Sequence, residues 1–220
     1  VDGVVSIGGG SSMDTAKLIA VLCSSKQPLE EMYGINMVKG ERMPLVLVPT
    51  TAGTGSEVTP ISIVTTGVAQ KKGVVSPQLL PDYAVLDPHL TLGLPAAVTA
   101  ATGIDAMVHC IEAYTSKRLK NIISDALARE GLKLLGANLR KVCDTPKDID
   151  ARGNMLMGSM LAGMAFTNAP VAAVHALAYP LGGHFHVPHG LSNALVLPHV
   201  LAFNMPEAEH QYAELASLIF

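Results

Sequence analysis

The sequence is short of charged residues and has no excess of basic ones. Asp, Glu, Lys and Arg make up only 15% of the 220 residues, against 49% hydrophobic residues, whereas soluble domains usually carry about 25% charged residues. A chain this apolar buries enough surface to offset the entropy of ordering, which excludes intrinsic disorder. The 18 acidic and 15 basic residues leave a net charge of −3, which excludes nucleic acid as a partner.

The sequence also lacks a disulfide framework. Cys23, Cys110 and Cys143 are odd in number and far apart, and they form no CxxC motif. The predicted compartment is therefore the reducing cytoplasm. The first residues have the pattern of a strand and a glycine turn rather than of a signal peptide. Because there is no initiator Met and the last residues resemble the interior of a helix, we expect a fragment truncated at both ends.

Charge is missing altogether from residues 153–206, where five of the eight histidines lie. An uncharged run of this length is typical either of a membrane span or of a buried core. Residues 155–174 are numerous enough to cross a bilayer, but Asn168 and Pro170 interrupt them and neither an aromatic belt nor a basic cluster flanks them. We therefore expect a buried core helix and no membrane.

Two halves of the sequence differ in their periodicity. Strand patterns at residues 4–7, 45–48, 61–65, 74–75 and 84–86, with a helix at 11–22, predict a parallel α/β sheet. After residue 95 only helices are predicted, at 99–115, 122–142, 152–168, 171–179 and 192–203. Proline and glycine punctuate the segment between the halves. We therefore predict two domains, residues 1–94 and 95–220.

A glycine turn, IGGGSSMDTAK at residues 7–17, joins the first strand to the first helix. Glycines let the backbone approach a ligand closely, and the free N–H groups of a helix N-terminus suit a phosphate. Ser11 or Ser12 can cap this helix and donate to the phosphate. Since the motif is not GxGxxG, an ordinary strand-to-helix turn is the alternative.

A second loop, PTTAGTGSEVT at residues 49–59, follows the next strand and is rich in hydroxyl side chains. Loops at the carboxyl ends of parallel strands line the ligand crevice of an open α/β sheet. Two such loops on adjacent strands would hold one nucleotide. The alternative is an ordinary polar loop.

Asp105 and His109 are four residues apart in a predicted helix, so they share a face. The uncharged segment adds His175, His184, His186 and His189. One Asp and several neutral imidazoles suit Fe(II), Zn(II) or a similar ion. The alternatives are a simple hydrogen bond between Asp105 and His109, and core histidines that each have their own partner.

Taken together, these motifs resemble the iron-containing (group III) alcohol dehydrogenases. GGGSxxDxAK, PTTAGTGSEVT, Asp87-Pro88, GxDAMxHxxEAY and an H-x13-H pair ending in PHG occur in the family's order over essentially the whole chain. The resemblance implies a dehydroquinate synthase-like architecture. This comprises an α/β N-terminal dinucleotide-binding domain and an all-α C-terminal metal-binding domain, both truncated here.

The resemblance also implies a function, a metal-dependent hydride transfer between a primary alcohol or aldehyde and NAD or NADP. It implies Fe(2+) or Zn(2+) ligands at Asp105, His109, His175 and His189. It implies cofactor contacts at Gly9, Gly10, Ser11, Asp14, Thr50, Thr51, Thr54, Ser56 and Lys71, with Lys72 as the alternative to Lys71. The expected partners are a small-molecule alcohol or aldehyde and, in the full-length protein, further copies of the same chain.

The resemblance leaves one role open. Some members carry a proposed proton-shuttle His four residues after the first His of the H-x13-H pair, where this sequence has Tyr179. The catalytic candidates are therefore Tyr179, His184 and His186. Two other functions stay possible: a metal-independent reductase similar to maleylacetate reductases, against which the four intact ligand positions argue, and an inactive truncated nucleotide-binding fragment.

Overall fold

A computed structural model describes residues 1–67 and 70–219. The chain divides into two compact units, one formed by Val1–Thr50 with Ser56–Asp87 and the other by Thr51–Gly55 with Pro88–Phe220. The predicted domain limits at residues 94 and 95 stay a prediction.

The first unit contains two three-stranded sheets and one α-helix. Its elements are β1 (Val4–Gly8), α1 (Gly10–Leu22), β2 (Gly34–Ile35), β3 (Leu45–Pro49), β4 (Ile61–Thr66), β5 (Gln70–Val75) and β6 (Tyr83–Ala84). One sheet has the order β1-β3-β6 and is parallel, as predicted. The other has the order β2-β5-β4, and its β4 and β5 form an antiparallel pair that the sequence did not predict. The polar start of β5, QKK, hid most of this strand from the hydrophobic pattern.

Helix α1 is buried on two faces. Leu18 and Val21 belong to a cluster that includes Val74 of β5. Met13, Ala16 and Ala20 belong to a second cluster with Leu45 and Leu47 of β3. The glycine turn at the N-terminus of this helix is thus held next to the parallel sheet by packing of the helix on β3.

The second unit is helical in the part of the chain that the structure describes. Its helices are α2 (Ala96–Thr115), α3 (Ile122–Asp144), α4 (Ile149–Asn168), α5 (Ala173–Phe185) and α6 (His189–Ala216). Helix α2 packs against α3, α4 and α6. Asn121 begins α3 with a capping box, in which its side chain accepts from Ile123 and Ser124.

Helices α5 and α6 are longer than predicted. The pattern predicted helices at residues 171–179 and 192–203, but α5 continues through Pro180 and α6 continues through Pro198 and Pro206. Proline removes one backbone donor and crowds the preceding turn, so it usually ends a helix. Here both helices continue past their prolines, and the predicted ends were wrong.

Among the described residues, no single helix is both long and apolar enough to cross a bilayer. Helices α4 and α5 meet that test only as a joined pair, by length and composition, and the pair bends by 108° at its break. Helix α4 buries Met155, Leu156, Ala162 and Ala165 inside the helical unit, as predicted for the uncharged stretch.

Candidate metal centre

Three helices of the second unit bring buried polar side chains together. Asp105, His109 and Glu112 lie at i, i+4 and i+7 of α2, so they occupy one face of that helix. His175 comes from α5 near its N-terminus, and His189 is the first residue of α6. Each of these side chains therefore has a helical backbone behind it.

Asp105, His175 and His189 converge on one point. One ligand atom from each lies within 4.8 Å of the others. Asp105 Oδ1 is 3.6 Å from His175 Nε2 and 3.6 Å from His189 Nε2. Two ligands of one tetrahedral zinc-type ion, each about 2.1 Å from it, are roughly 3.4 Å apart. The observed spacing of these three donors therefore fits a single divalent cation.

His109, the fourth predicted ligand, lies next to this group rather than within it. Its ring stacks on His175 with centroids 4.6 Å apart and on Phe166 at 4.4 Å. Burial, together with the neighbouring histidines, lowers the pKa of His109 to about 4 despite the attraction of Asp105. At neutral pH the ring is uncharged, and its buried Nδ1 has no hydrogen-bond partner within the described chain. An imidazole of this kind suits a metal ion better than it suits a proton.

Glu112 orients His175, a role that the sequence analysis did not assign. Its Oε2 lies 2.6 Å from His175 Nδ1, and its Oε1 accepts the backbone N–H of Val174 at 2.8 Å. A carboxylate that accepts a hydrogen bond from the Nδ1–H group orients the ring so that Nε2 faces the metal position. Burial alone would lower the pKa of His175, but the carboxylates of Asp105 and Glu112 outweigh it and raise that pKa to about 9. The two carboxylates therefore make this position favourable for a positive charge.

Asn193 also belongs to this cluster and was missed. It lies four residues after His189 on α6, and its side-chain Nδ2 donates to Asp105 Oδ1 at 2.5 Å. An amide carries no charge, so the residue type alone did not mark Asn193 as part of a metal centre. The i, i+4 spacing from His189 is the signal that could have found it.

The three catalytic candidates occupy different positions. Tyr179 lies on α5, and its ring stacks on that of His189 with centroids 5.8 Å apart. His184 is in the last turn of α5 and His186 is its left-handed C-cap, and both are exposed. Of the three, only Tyr179 has a described ring contact with a predicted metal ligand.

The glycine turn and the hydroxyl-rich loop begin at the same end of the parallel sheet of the first unit. Strands β1 and β3 are neighbours, and Gly8 is in register with Pro49. The Thr50 N–H donates to the Gly8 carbonyl at 3.0 Å. The N-cap of α1 is Gly9, without a side-chain cap, so the expected capping by Ser11 or Ser12 was wrong. The first N–H groups of a helix have no partner within the helix, which suits an anion.

Asp14 and Ser56 take part in a buried cluster around Lys17. The Asp14 carboxylate accepts from Ser56 Oγ at 2.6 Å and from the Ile63 N–H at 2.9 Å. Lys17 Nζ donates to Ser56 Oγ, Thr59 Oγ1 and the Ile61 carbonyl. Asp14 and Ser56, both predicted cofactor contacts, are therefore hydrogen-bonded to each other within the first unit.

The central part of the loop, Thr51–Gly55, belongs to the helical unit. A Cβ on Gly53 would lie 2.8 Å from the Thr102 side chain. Gly55 has a φ of +60°, and a Cβ there would lie 2.5 Å from Gly163 of α4. Both glycines are needed for this close approach of the loop backbone to α2 and α4, and Thr51 and Thr54 are neighbours of these glycines in the sequence. Lys71 is exposed on β5 opposite Thr65, whereas Lys72 lies over the Tyr33 ring at 4.8 Å.

The chain combines an α/β unit that carries a glycine turn with a helical unit that carries a cluster of Asp and His side chains, which is the class of two-unit chains with a candidate metal centre. Comparison with known families makes this specific. The model of the iron-containing alcohol dehydrogenases matches residues 1–88, and that of the Fe-containing alcohol dehydrogenase family, C-terminal, matches residues 99–220. The chain belongs to the iron-containing alcohol dehydrogenase family, which confirms the resemblance and the fold class inferred from the sequence.

Individual relatives agree. Long-chain-alcohol dehydrogenase 1 of Geobacillus thermodenitrificans is 47% identical over 92% of this chain and 51% of its own length. The alcohol dehydrogenase of Oenococcus oeni superposes with a TM-score of 0.96 at 38% identity, over 100% of this chain and 57% of that one. The sulfoacetaldehyde reductase of Bifidobacterium kashiwanohense, solved in complex with NAD+, has a TM-score of 0.85 at 35% identity, over 92% and 54%. The chain thus spans about half the length of the relatives that it matches.

Proposed function

We propose that the chain supplies the cofactor-binding and metal-binding parts of an oxidoreductase that transfers hydride between a primary alcohol or aldehyde and a nicotinamide cofactor. The observation that carries this proposal is the convergence of Asp105, His175 and His189 on one point, with His175 oriented by Glu112. An oriented carboxylate and imidazole set of this kind is what a catalytic divalent ion requires.

Asp105, His175 and His189 would hold the ion, and the neutral imidazole of His109 would complete the set. The ion would be Fe(2+) or Zn(2+), since mixed carboxylate and imidazole ligands suit both. When bound, it would act as a Lewis acid on the alcohol or aldehyde oxygen. The chain's own part is to hold these donors in place, and Val108, Val174 and Val200 of the same three helices form a buried apolar cluster that packs those helices together.

NAD or NADP would supply the hydride chemistry. The N–H groups at Gly9, Gly10 and Ser11 suit its phosphates because a helix N-terminus attracts anions. Thr50, Thr51, Thr54, Ser56 and Lys71 stay predicted contacts, and Asp14 would act through the Ser56 hydroxyl that it binds. The NAD+ bound to the sulfoacetaldehyde reductase relative supports a nicotinamide cofactor. Self-association and a cytoplasmic location stay predictions.

An activity and metal assay tests this function. The full-length protein, purified without oxygen, should contain a divalent metal and reduce at least one aldehyde in a broad panel with NADH or NADPH. His189→Ala should lose metal and activity, whereas His210→Ala, at an exposed site on the same helix, should keep both.

Two outcomes would contradict the proposal. Failure to reduce any aldehyde with either cofactor would remove the oxidoreductase assignment. Less than about 0.2 equivalents of metal per chain, with an activity indifferent to chelator, would favour the metal-independent reductase instead.

A further inference from the structure

Asn193 places its side-chain amide in the middle of the Asp105, His175 and His189 cluster. Its Nδ2 lies 2.5 Å from Asp105 Oδ1, 3.3 Å from His175 Nε2 and 3.5 Å from His189 Nε2. These are the three atoms whose mutual distances fit one cation. An amide NH2 group carries partial positive charge on its hydrogens, so it offers the Asp105 carboxylate part of what a cation offers.

The other end of the same amide has no comparable partner. Asn193 Oδ1 is buried and lacks a hydrogen-bond partner within the described chain, which is an unfavourable state for a carbonyl oxygen. Turning the amide over would place Oδ1 against the Asp105 carboxylate, oxygen against oxygen. The bond from Nδ2 to Asp105 therefore sets the orientation, even though it leaves Oδ1 unsatisfied.

An ion about 2.1 Å from each of the three donor atoms would lie in close contact with Nδ2. The hydrogens on Nδ2 carry positive partial charge, so the ion and this NH2 group repel each other. We propose that the Asn193 amide closes the metal-free site and that a divalent cation displaces it on binding. This inference rests on the proposed metal site, and it makes Asn193 a positioning residue that competes with the ion for Asp105.

Replacement of the amide tests the competition. In Asn193→Ala the metal-free protein loses the bond to Asp105, so its melting temperature should fall. Zinc should bind about tenfold more tightly in a calorimetric titration, because the competing hydrogen bond to a charged group is gone. Asn138→Ala is the matched control. Asn138 is a buried amide on α3 that donates to the Leu134 carbonyl, and its removal should leave zinc affinity unchanged. A zinc affinity of Asn193→Ala that is unchanged or weaker than that of the wild type would overturn the proposal.

A measurement on the wild-type protein does not depend on how the variant folds. Zinc should shift the side-chain amide NMR signals of Asn193 and remove their protection from solvent exchange, because Nδ2 leaves its buried acceptors. Signals that stay unchanged at saturating zinc would also overturn displacement. If the wild type takes up no zinc at all, the metal site itself fails; if zinc binds but Asn193 stays in place, only this inference fails.

Discussion

Which nitrogen of an imidazole ring carries the proton decides which nitrogen can bind a metal ion. Glu112 Oε2 accepts a hydrogen bond from His175 Nδ1 at 2.6 Å, so His175 Nε2 faces Asp105. Carboxylates behind a ligand histidine fix its tautomer and its ring orientation. Burial raises the pKa of Glu112, but the bonds from His175 and from two backbone N–H groups outweigh burial and lower it. Glu112 therefore stays charged next to His175.

Glu112→Gln should weaken zinc binding about 10- to 100-fold, because the amide keeps the shape but loses the charge that favours the correct tautomer. Calorimetric titration of the purified variant measures this. Glu130→Gln, an exposed site on α3, serves as the control and should bind zinc as the wild type does. Equal affinities for Glu112→Gln and the wild type would show that His175 needs no such partner.

Lys17 and Glu57 give the first unit a distinctive dependence on pH. Burial raises the pKa of Glu57 from 4.5 to about 7 and lowers that of Lys17 from 10.5 to about 8. The folded chain binds the Glu57 proton more tightly than the unfolded chain, so the free energy of unfolding should fall as pH rises from 4.5 to about 7. The unfolded chain binds the Lys17 proton more tightly, so stability should rise again between about 8 and 10.5.

Urea unfolding at a series of pH values measures both changes. Glu57→Gln should remove the fall and Lys17→Met the rise, whereas Glu30→Gln, at an exposed site, should change neither. A flat profile for the wild type between pH 4.5 and 7 would show that Glu57 is not held protonated by burial.

Residue spacing identified part of the candidate site and not the rest. The i, i+4 pair on α2 and the H-x13-H pair predicted ligands, and three of these four residues converge. Glu112 stood in the quoted motif but received no role, because a carboxylate behind a histidine is recognisable only when the distance is known. Asn193 carries no charge, so its residue type does not distinguish it in the sequence from other polar helix residues.

At the scale of elements, α6 positions His189 through a glycine contact. Gly190 follows His189 directly, and a Cβ there would overlap the Ala101 carbonyl of α2. Only glycine allows the start of α6 to lie this close to α2. The approach places His189 on the side of the helix pair where Asp105 lies.

Gly190→Ala should therefore destabilise the protein by about 1–3 kcal/mol, as overpacking in a core does, and weaken zinc binding by moving His189. Thermal unfolding and zinc titration measure the two effects. Gly182→Ala on α5 is the control, since its nearest neighbour is an ordinary 3.5 Å contact with the Val187 carbonyl; it should keep zinc affinity and gain a few tenths of a kcal/mol from helix propensity. Normal zinc affinity in Gly190→Ala would disprove the positioning role of this contact.

The order and type of most elements could be predicted, and the ends of β1, β3 and α2 to α4 agree with the structure to within three residues. Apolar runs located β1 and β3, and helical periodicity located α2 to α4. The ends of α5 and α6 were misjudged because the usual effect of Pro180 and Pro198 gives way here to packing that the sequence does not reveal. The antiparallel partner of β4 was missed because β5 begins with polar residues.

At the scale of the whole molecule, the candidate metal donors all lie in the helical unit but on three different helices. Asp105 and His175, for example, come from α2 and α5, so opening of either helix would break a bond to the ion. A ligand that binds only the folded form stabilises it. Metal binding should therefore protect all three helices from local opening.

Hydrogen exchange measured by mass spectrometry should show zinc slowing exchange in α2, α5 and α6 and leaving β1 and β3 unchanged. His189→Ala should abolish this protection, and the exposed His210→Ala should retain it. Equal protection across both units, or protection that survives in His189→Ala, would place the zinc elsewhere.

The two units also differ in how far along the chain their contacts reach. In the parallel sheet Val4 pairs with Leu45 and Val46 pairs with Tyr83, whereas α2, α3 and α4, which follow one another in the chain, pack against each other. Contacts between distant residues form more slowly than local ones. During synthesis β1, which exposes Val5 and Ile7, leaves the ribosome well before its sheet can be completed. Within these 220 residues, the α/β unit is thus expected to complete its sheet later than α2, α3 and α4 pack, and its incomplete sheet is the stage at which a chaperone would be needed most.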